Sequence, residues 1–204
     1  MISQSLEKTL SKLIEIFRNQ NIPFLLMGGI AASVYSISRA TFDIDGLVVI
    51  RKEKLSPFLA QARKAGFIYD TKNPLKVIGN FSFLTLYSKS SKIYVDLFLA
   101  EGIFHEQIVQ RAKKIKLSSR TVHVISPEDL ILLKLQTGRE RDLEDIRNII
   151  SENKEAIDFE YLKKWARYLG VEVYLKDELR SLRTKDHQNE TPFRMRDKKV
   201  RRLD

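Results

Sequence analysis

Hydrophobic positions in the first part of the chain alternate between helical spacing and short apolar runs. Five apolar residues near the start recur at helical spacing and predict an amphipathic helix over residues 4–20: Leu6, Leu10, Leu13, Ile14 and Phe17. The predicted strands cover residues 23–28, 42–50, 67–70, 76–88, 92–100 and a segment within 115–125, and the predicted helices between them cover 29–38, 55–65 and 103–113. This alternation predicts an α/β (α+β) fold in which helices pack on a mixed sheet.

The pattern changes near residue 125 and is helical from there on. The predicted helices of this second part cover residues 127–137, 140–152, 158–169 and 171–183. No internal repeat or low-complexity linker separates the two parts. We therefore predict a first domain over residues 1–125, a helical domain packed on it over 126–183, and a basic C-terminal tail over 184–204.

A pair of glycines, Gly28 and Gly29, joins the first predicted strand to the helix that follows it. Glycines at such a turn let backbone amides approach a phosphate, and the N-terminus of the helix adds a partial positive charge. A tight turn without a ligand would use the same two residues. Both interpretations remain open at this stage.

Two aspartates, Asp43 and Asp45, lie in the apolar run over residues 42–50. The period of two along a strand directs both side chains to the same face. Two close carboxylates repel each other and resist desolvation, so a cation is expected to neutralise them, and magnesium prefers such oxygen ligands. The alternative is a solvated strand end at which the carboxylates accept hydrogen bonds from turn amides.

Asp96 is the one charged residue in the run Ile93-Tyr94-Val95-Asp96-Leu97-Phe98-Leu99. If this strand lies beside the strand over residues 42–50, Asp96 completes a cluster of three carboxylates, which could hold two metal ions about 3.5 to 4 Å apart. The alternative for Asp96 is a buried salt bridge to a lysine or arginine.

The combination of a hydrophobic residue with Gly-Gly, then D-x-D, then a lone Asp on a later strand resembles the nucleotidyltransferase superfamily with the polymerase-beta-like fold. The chain departs from the family pattern in having Gly29 where that pattern has serine. The segment Arg39-Ala40-Thr41-Phe42-Asp43-Ile44-Asp45 looks most like the abortive-infection toxin nucleotidyltransferases, and less like the aminoglycoside nucleotidyltransferases. Arg39 and Thr41 could contact phosphate or metal-bound water; alternatively, they stabilise the turn.

A downstream segment also resembles that subgroup. Ser126 has the features of a helix N-cap, with Pro127 at the first helical position and an acid three residues after the cap. By resemblance, the residues that follow bind the triphosphate of the nucleotide: Lys134 and Arg139 as contacts, and Asp142 as the residue that orients them or pairs with one. The alternative is an amphipathic helix with a solvated Lys134 and an Arg139–Asp142 pair.

Composition restricts the remaining possibilities. The chain has 204 residues, 43% of them hydrophobic, and no cysteine, which excludes disulfides and thiolate zinc sites. Its three histidines, His105, His123 and His187, lie too far apart in sequence to suggest a local metal motif. No run of residues has the length of a membrane span and the N-terminus lacks a signal-peptide pattern, so we expect a cytoplasmic protein without a membrane partner.

The charge balance is strongly basic. The formal net charge is +10, and residues 191–204 hold six basic and two acidic residues. Such a tail is typical of an arm that binds RNA or another polyanion. A disordered, solubilising end would have the same composition.

The resemblance implies magnesium-dependent transfer of a nucleoside monophosphate from an NTP to a hydroxyl. Asp43 and Asp45 would hold two Mg²⁺ ions, and Asp96 would ligate the ion that activates the acceptor. The toxin-like motif implies RNA, in particular a tRNA end, as acceptor, in a toxin–antitoxin setting with a partner antitoxin protein. The alternatives are a small-molecule (aminoglycoside-like) or protein hydroxyl, or a non-catalytic nucleotide-binding or antitoxin module.

Overall fold

A computed structural model describes residues 3–36, 41–78, 81–117 and 120–189 of the protein. The helices in this part of the chain are α1 (Gln4–Asn19), α2 (Gly28–Tyr35), α3 (Lys52–Lys64), α4 (Gly102–Arg111), α5 (Pro127–Thr137), α6 (Glu140–Glu152), α7 (Phe159–Tyr168) and α8 (Glu172–Asn189). The strands are β1 (Phe24–Met27), β2 (Asp43–Val48), β3 (Phe67–Ile68), β4 (Lys76–Ile78), β5 (Phe81–Ser88), β6 (Ile93–Leu99), β7 (Lys113–Leu117) and β8 (Arg120–Val124).

These strands form one mixed sheet in the order β3-β5-β6-β2-β1-β8-β7, and β4 pairs with β5. The central strand, β2, is antiparallel to β1 and parallel to β6. The predicted α/β fold with a mixed sheet is therefore confirmed. The prediction of one strand over 76–88 is wrong, because β4 and β5 within it pair antiparallel. Likewise, the segment within 115–125 is not one strand but belongs to the antiparallel pair of β7 and β8.

Helix α1 begins and packs as its sequence pattern predicts. The Ser3 hydroxyl accepts a hydrogen bond from the Leu6 amide at 3.3 Å and caps the helix. The buried Phe17 ring stacks on Phe24 of β1 at 4.7 Å between centroids and on Phe58 of α3 at 5.0 Å. This aromatic cluster fixes α1 and α3 against the strand that leads into the Gly28-Gly29 turn.

The helices after residue 125 pack on α2 and on one another around α5. Ser126 caps α5 as predicted, since its Oγ accepts the Asp129 amide at 3.2 Å, and Pro127 occupies the first turn. The hydrophobic residues of α5 are buried and belong to the same core as those of the sheet. Helix α8 extends to Asn189, beyond the predicted end at residue 183. The domain boundary near residue 125 stays a prediction.

A polar network ties the start of α5 to its neighbours. Arg111, at the end of α4, donates to Glu128 Oε2 at 3.0 Å and lies over the Tyr161 ring of α7 at 3.8 Å. The fully buried Asp129 accepts the Tyr161 hydroxyl at 2.7 Å and the Ser126 hydroxyl at 2.7 Å. The two acids that follow Pro127 therefore join α4, α5 and α7. No helix in the described ranges is both long and apolar enough to cross a membrane.

Candidate active site

The three aspartates predicted to bind metal lie on one face of two adjacent strands. Asp45 of β2 pairs in register with Asp96 of β6, and Asp43 lies two residues before Asp45 on the same strand. Asp43 is exposed, whereas Asp45 and Asp96 are half-buried. The predicted juxtaposition of the strands is thus present, and Asp96 pairs with no lysine or arginine in the described residues.

The Gly28-Gly29 turn places the N-terminus of α2 directly against Asp45. Gly28 has a φ of 61°, and a Cβ atom at this position would overlap the Asp45 carboxylate, with its Cγ only 2.6 Å away. Only glycine accepts both this φ and this contact without strain. The Gly29 backbone amide favours the ionised form of this carboxylate and so lowers its pKa. Whether the same amides also approach a phosphate stays a prediction.

Two threonines hold the outer carboxylates. Thr41 Oγ1 donates to Asp43 Oδ1 at 2.8 Å, and Thr85 Oγ1 of β5 donates to Asp96 Oδ1 at 2.6 Å. Thr41 was predicted as a possible phosphate contact, and here it orients an acid. Thr85 was not predicted. Its only sequence signal is a threonine at an alternating position in an aromatic-rich strand, and its partner is identified by the β5–β6 register.

Burial and like charge raise the pKa of Asp45 to about 7. Burial has the largest effect, followed by repulsion from Asp43 and Asp96, while the Gly29 amide and the Lys134 ammonium act in the opposite direction. The cluster therefore has an uncompensated negative charge near neutral pH. Three carboxylates of this kind fit a hard divalent cation such as Mg²⁺. In the described part of the chain, no three acidic, histidine or cysteine side chains converge closely enough to form a ready-made metal centre, so ion binding stays a prediction.

Lys134 of α5 lies near this cluster and is only 6% exposed. Its ammonium donates to Asp142 Oδ1 at 2.8 Å and to Asp145 Oδ2 at 2.6 Å, both on α6. Asp142 also accepts the Thr137 hydroxyl at 2.6 Å. The alternative of a solvated Lys134 is therefore wrong, and the predicted pairing of Asp142 with a cation is present. Asp145 was not predicted, since its contact depends on how α5 and α6 pack.

Arg39 and Arg139 are the two arginines predicted to contact the nucleotide, and the structure describes only Arg139. Arg139 is exposed at the N-cap of α6, and its backbone oxygen accepts the Asp142 and Leu143 amides. Within the described residues its side chain forms no ion pair, so the proposed Arg139–Asp142 pair is not formed. Arg39 and the basic residues of the tail over 191–204 lie outside the described residues.

Solved structures with a similar fold include nucleotidyltransferases. The chain is similar to the antibiotic-resistance factor ANT(2″)-Ia in complex with adenylyl-2″-tobramycin, with 14% identity, a TM-score of 0.57, and coverage of 79% of this chain and 95% of that one. It is also similar to the lincosamide antibiotic adenylyltransferase LnuA in its lincomycin-bound form (18%, TM-score 0.52, coverage 74% and 98%). A candidate nucleotidyltransferase from Thermotoga maritima gives 15% identity and a TM-score of 0.53, with coverage of 74% and 96%.

The match of the chain to a nucleotidyltransferase family model shows that it is a member of the nucleotidyltransferase superfamily, as its sequence motifs predicted. More specifically, residues 4–189 match the family described as nucleotidyltransferase of unknown function (DUF6036), and the chain belongs to that family. No curated protein matches the chain.

Proposed function

We propose that this protein transfers a nucleoside monophosphate from an NTP to a hydroxyl group of RNA, with magnesium as cofactor. The observation that carries the proposal is the alignment of Asp45 and Asp96 across β2 and β6, with Asp43 beside them and Gly28 shaped to admit the Asp45 carboxylate. Membership of a nucleotidyltransferase family supports the reaction class. A cytoplasmic location and a toxin-like setting with a partner antitoxin are the finer part of the proposal, and the toxin-like setting depends on the motif resemblance alone.

In the proposed reaction, Asp43, Asp45 and Asp96 would hold two Mg²⁺ ions, which would stabilise the negative charge that develops during an in-line displacement. The acceptor hydroxyl oxygen forms a bond to the α-phosphorus, and the bond from that phosphorus to the bridging oxygen breaks, so that pyrophosphate leaves. Asp96 takes up the hydroxyl proton. The hydrogen bond that Thr85 donates to Asp96 Oδ1 fixes the orientation of this carboxylate for the step.

Lys134 contributes a buried positive charge next to the acids. Because Asp142 and Asp145 both bind its ammonium, the lysine is preorganised rather than mobile. A fixed cation of this kind stabilises charge that develops on phosphate oxygens without further reorganisation. Arg139 is close to Lys134 in the sequence and is exposed at the start of α6. It would add a second contact to the triphosphate.

The choice of RNA as acceptor depends on charge. The net charge is +10, and residues 191–204 are rich in basic residues. These charges attract a polyanionic acceptor such as RNA and repel an acceptor that carries several positive charges. The second candidate acceptor is a small molecule, because ANT(2″)-Ia is bound to adenylyl-2″-tobramycin and LnuA is a lincosamide antibiotic adenylyltransferase.

The deciding experiment is incubation of the protein with each radiolabelled NTP, Mg²⁺ and total RNA. We expect label in the RNA fraction with wild-type protein and none with Asp45→Asn. Asp177→Asn is the matched control, because Asp177 is an exposed acid on α8. Absence of label with every NTP would overturn the proposed activity. Label in added antibiotics or protein, but not in RNA, would overturn the choice of acceptor.

A further inference from the structure

The face of the sheet that carries the three aspartates also carries aromatic side chains arranged in rows across the strands. Strand register aligns Thr85 of β5 with Asp96 of β6 and Asp45 of β2. The neighbouring row contains Tyr87, Tyr94 and Asp43 in the same order across the strands. Because residues opposite each other in a sheet share a face, the tyrosine row lies directly beside the acid row.

Next to these rows is a pocket of about 270 Å³ that opens between β3, β5 and β6. We name it the tyrosine pocket after Tyr69, Tyr87 and Tyr94, which line it together with Asp70, Lys76 and Thr85. The Tyr87 and Tyr94 rings are in contact, with centroids 4.7 Å apart, and Tyr94 is 57% exposed. Pockets for drug-sized molecules are larger, roughly 300–1,000 Å³. The tyrosine pocket is therefore small, and its tyrosine lining suits a planar ring.

Thr85 connects the tyrosine pocket to the chemistry. It lines the pocket and donates the 2.6 Å hydrogen bond to Asp96. Tyr94 and Asp96 are two residues apart on one strand, a spacing of about 6.6 Å between their Cα atoms. A base in contact with Tyr94 therefore has its sugar hydroxyl within reach of the acid proposed to accept the proton.

The charges around the pocket indicate which ring would bind. Asp70 is the acid that lines the pocket, and its carboxylate accepts the Lys72 amide at 2.9 Å and the Asn73 amide at 3.1 Å, so it is committed to a turn. Lys76 is exposed and offers a cation to a phosphate. Three tyrosines beside a lysine on a basic protein suit a base attached to a phosphodiester backbone, as in proteins that bind single-stranded nucleic acid.

We propose that the tyrosine pocket binds the terminal nucleoside of the acceptor RNA, with its base against Tyr94 and its hydroxyl directed to Asp96. This inference rests on the proposed function, because it assigns the acceptor of that same reaction.

The test compares two single-stranded RNAs that differ only in whether the 3′-terminal nucleotide carries a base. Binding to the full-length protein is measured by fluorescence polarisation without NTP or Mg²⁺. We expect wild-type protein to bind the natural RNA about ten-fold more tightly than the RNA with the abasic end. Tyr94→Leu should remove this difference, whereas Tyr94→Phe should keep it. The matched control is Tyr174→Leu, since Tyr174 is 60% exposed on α8 and should have no effect.

Equal binding of the two RNAs to wild-type protein, a full base preference in Tyr94→Leu, or no RNA binding at all would each overturn the tyrosine pocket as an acceptor site. The result is separate from the fate of the proposed function, because the binding assay needs no transfer. A base-dependent RNA affinity in a protein that labels nothing would overturn the proposed activity and keep the pocket. Labelled RNA with base-independent binding would overturn the pocket alone.

Discussion

Asp45 is the residue at which the electrostatics of the site converge. Its ionised form is opposed by burial and by two neighbouring carboxylates, which together raise its pKa to about 7. In the unfolded chain the same carboxyl ionises near pH 4. Between about pH 4 and pH 7 the folded protein therefore binds more protons at Asp45 than the unfolded protein, so stability must fall as the pH rises through this interval.

The first prediction follows from this difference in pKa. In the presence of a chelator, the free energy of unfolding of the wild-type protein, measured with urea, should fall between about pH 4 and pH 8. The contribution of Asp45 to this fall should be on the order of a few kcal/mol. Asp45→Asn should lack that loss and be at least as stable as wild type near pH 8. Added Mg²⁺ should stabilise wild type there, and Asp45→Asn much less. Parallel pH profiles for wild type and Asp45→Asn would contradict the prediction, and Asp177→Asn serves as the control.

The second prediction separates backbone strain from the contact with Asp45. Gly28 and Gly138 have almost the same φ, 61° and 62°, but only at Gly28 would a Cβ overlap another side chain; at Gly138 the nearest atom is the Leu135 oxygen at 4.0 Å. Gly138→Ala should therefore cost about 1–2 kcal/mol of stability from strain alone. Gly28→Ala should cost more and should also abolish transfer. Equal losses in the two variants, measured by thermal unfolding, would mean that the Asp45 contact is unimportant.

The third prediction concerns Arg139. Since this side chain is exposed and unpaired in the described structure, Arg139→Gln should leave the melting temperature unchanged. If it contacts the triphosphate, NTP affinity should fall about ten-fold or more, as expected for a lost charge-assisted hydrogen bond. Isothermal titration calorimetry with a non-hydrolysable NTP analogue measures this. Arg120→Gln is the control because Arg120 is an exposed residue at the start of β8. Unchanged NTP affinity would show that Arg139 only starts α6.

At the scale of elements, the ends of α5 could be predicted better than the pairing of strands. Ser126, Pro127 and Gly138 mark the ends of α5 through local chemistry that involves only nearby residues. The contact between Thr85 and Asp96 depends instead on the register of two strands, which no local pattern specifies. The same reason explains why the apolar run over 76–88 predicts one strand, although β4 and β5 within it pair antiparallel.

The fourth prediction tests the polar network that joins α4, α5 and α7. Tyr161→Phe removes the hydroxyl that donates to the fully buried Asp129, which leaves a buried carboxylate oxygen without this partner. The free energy of unfolding should fall by about 1–3 kcal/mol. Tyr168→Phe should have almost no effect, since Tyr168 is exposed at the end of the same helix. The NTP affinity of Tyr161→Phe should not change. If Tyr161→Phe is as stable as wild type, the network is not needed to hold α7.

At the scale of the whole molecule, the motifs of the sequence predicted the superfamily and the fold, because the acids and glycines proposed to act in the reaction stand in short local patterns. The acceptor could not be predicted in this way. The pocket proposed for the acceptor is assembled from β3, β5 and β6, and its lining residues come together only when these strands pair in register. Net charge is the one property of the whole chain that bears on the acceptor directly, through its attraction for a polyanion.

The fifth prediction applies this argument to residues 191–204, which hold six basic and two acidic residues. If they contact an RNA backbone, deleting them should weaken RNA binding and flatten the dependence of log affinity on log salt by about 0.7 to 0.9 for each lost phosphate contact. A full-length variant with the six basic residues changed to glutamine should behave like the deletion, because charge rather than length is responsible. NTP binding should not change in either variant, which also confirms that they fold. Identical salt slopes in all three proteins would remove the tail from the RNA interface and favour a small-molecule or protein hydroxyl as acceptor.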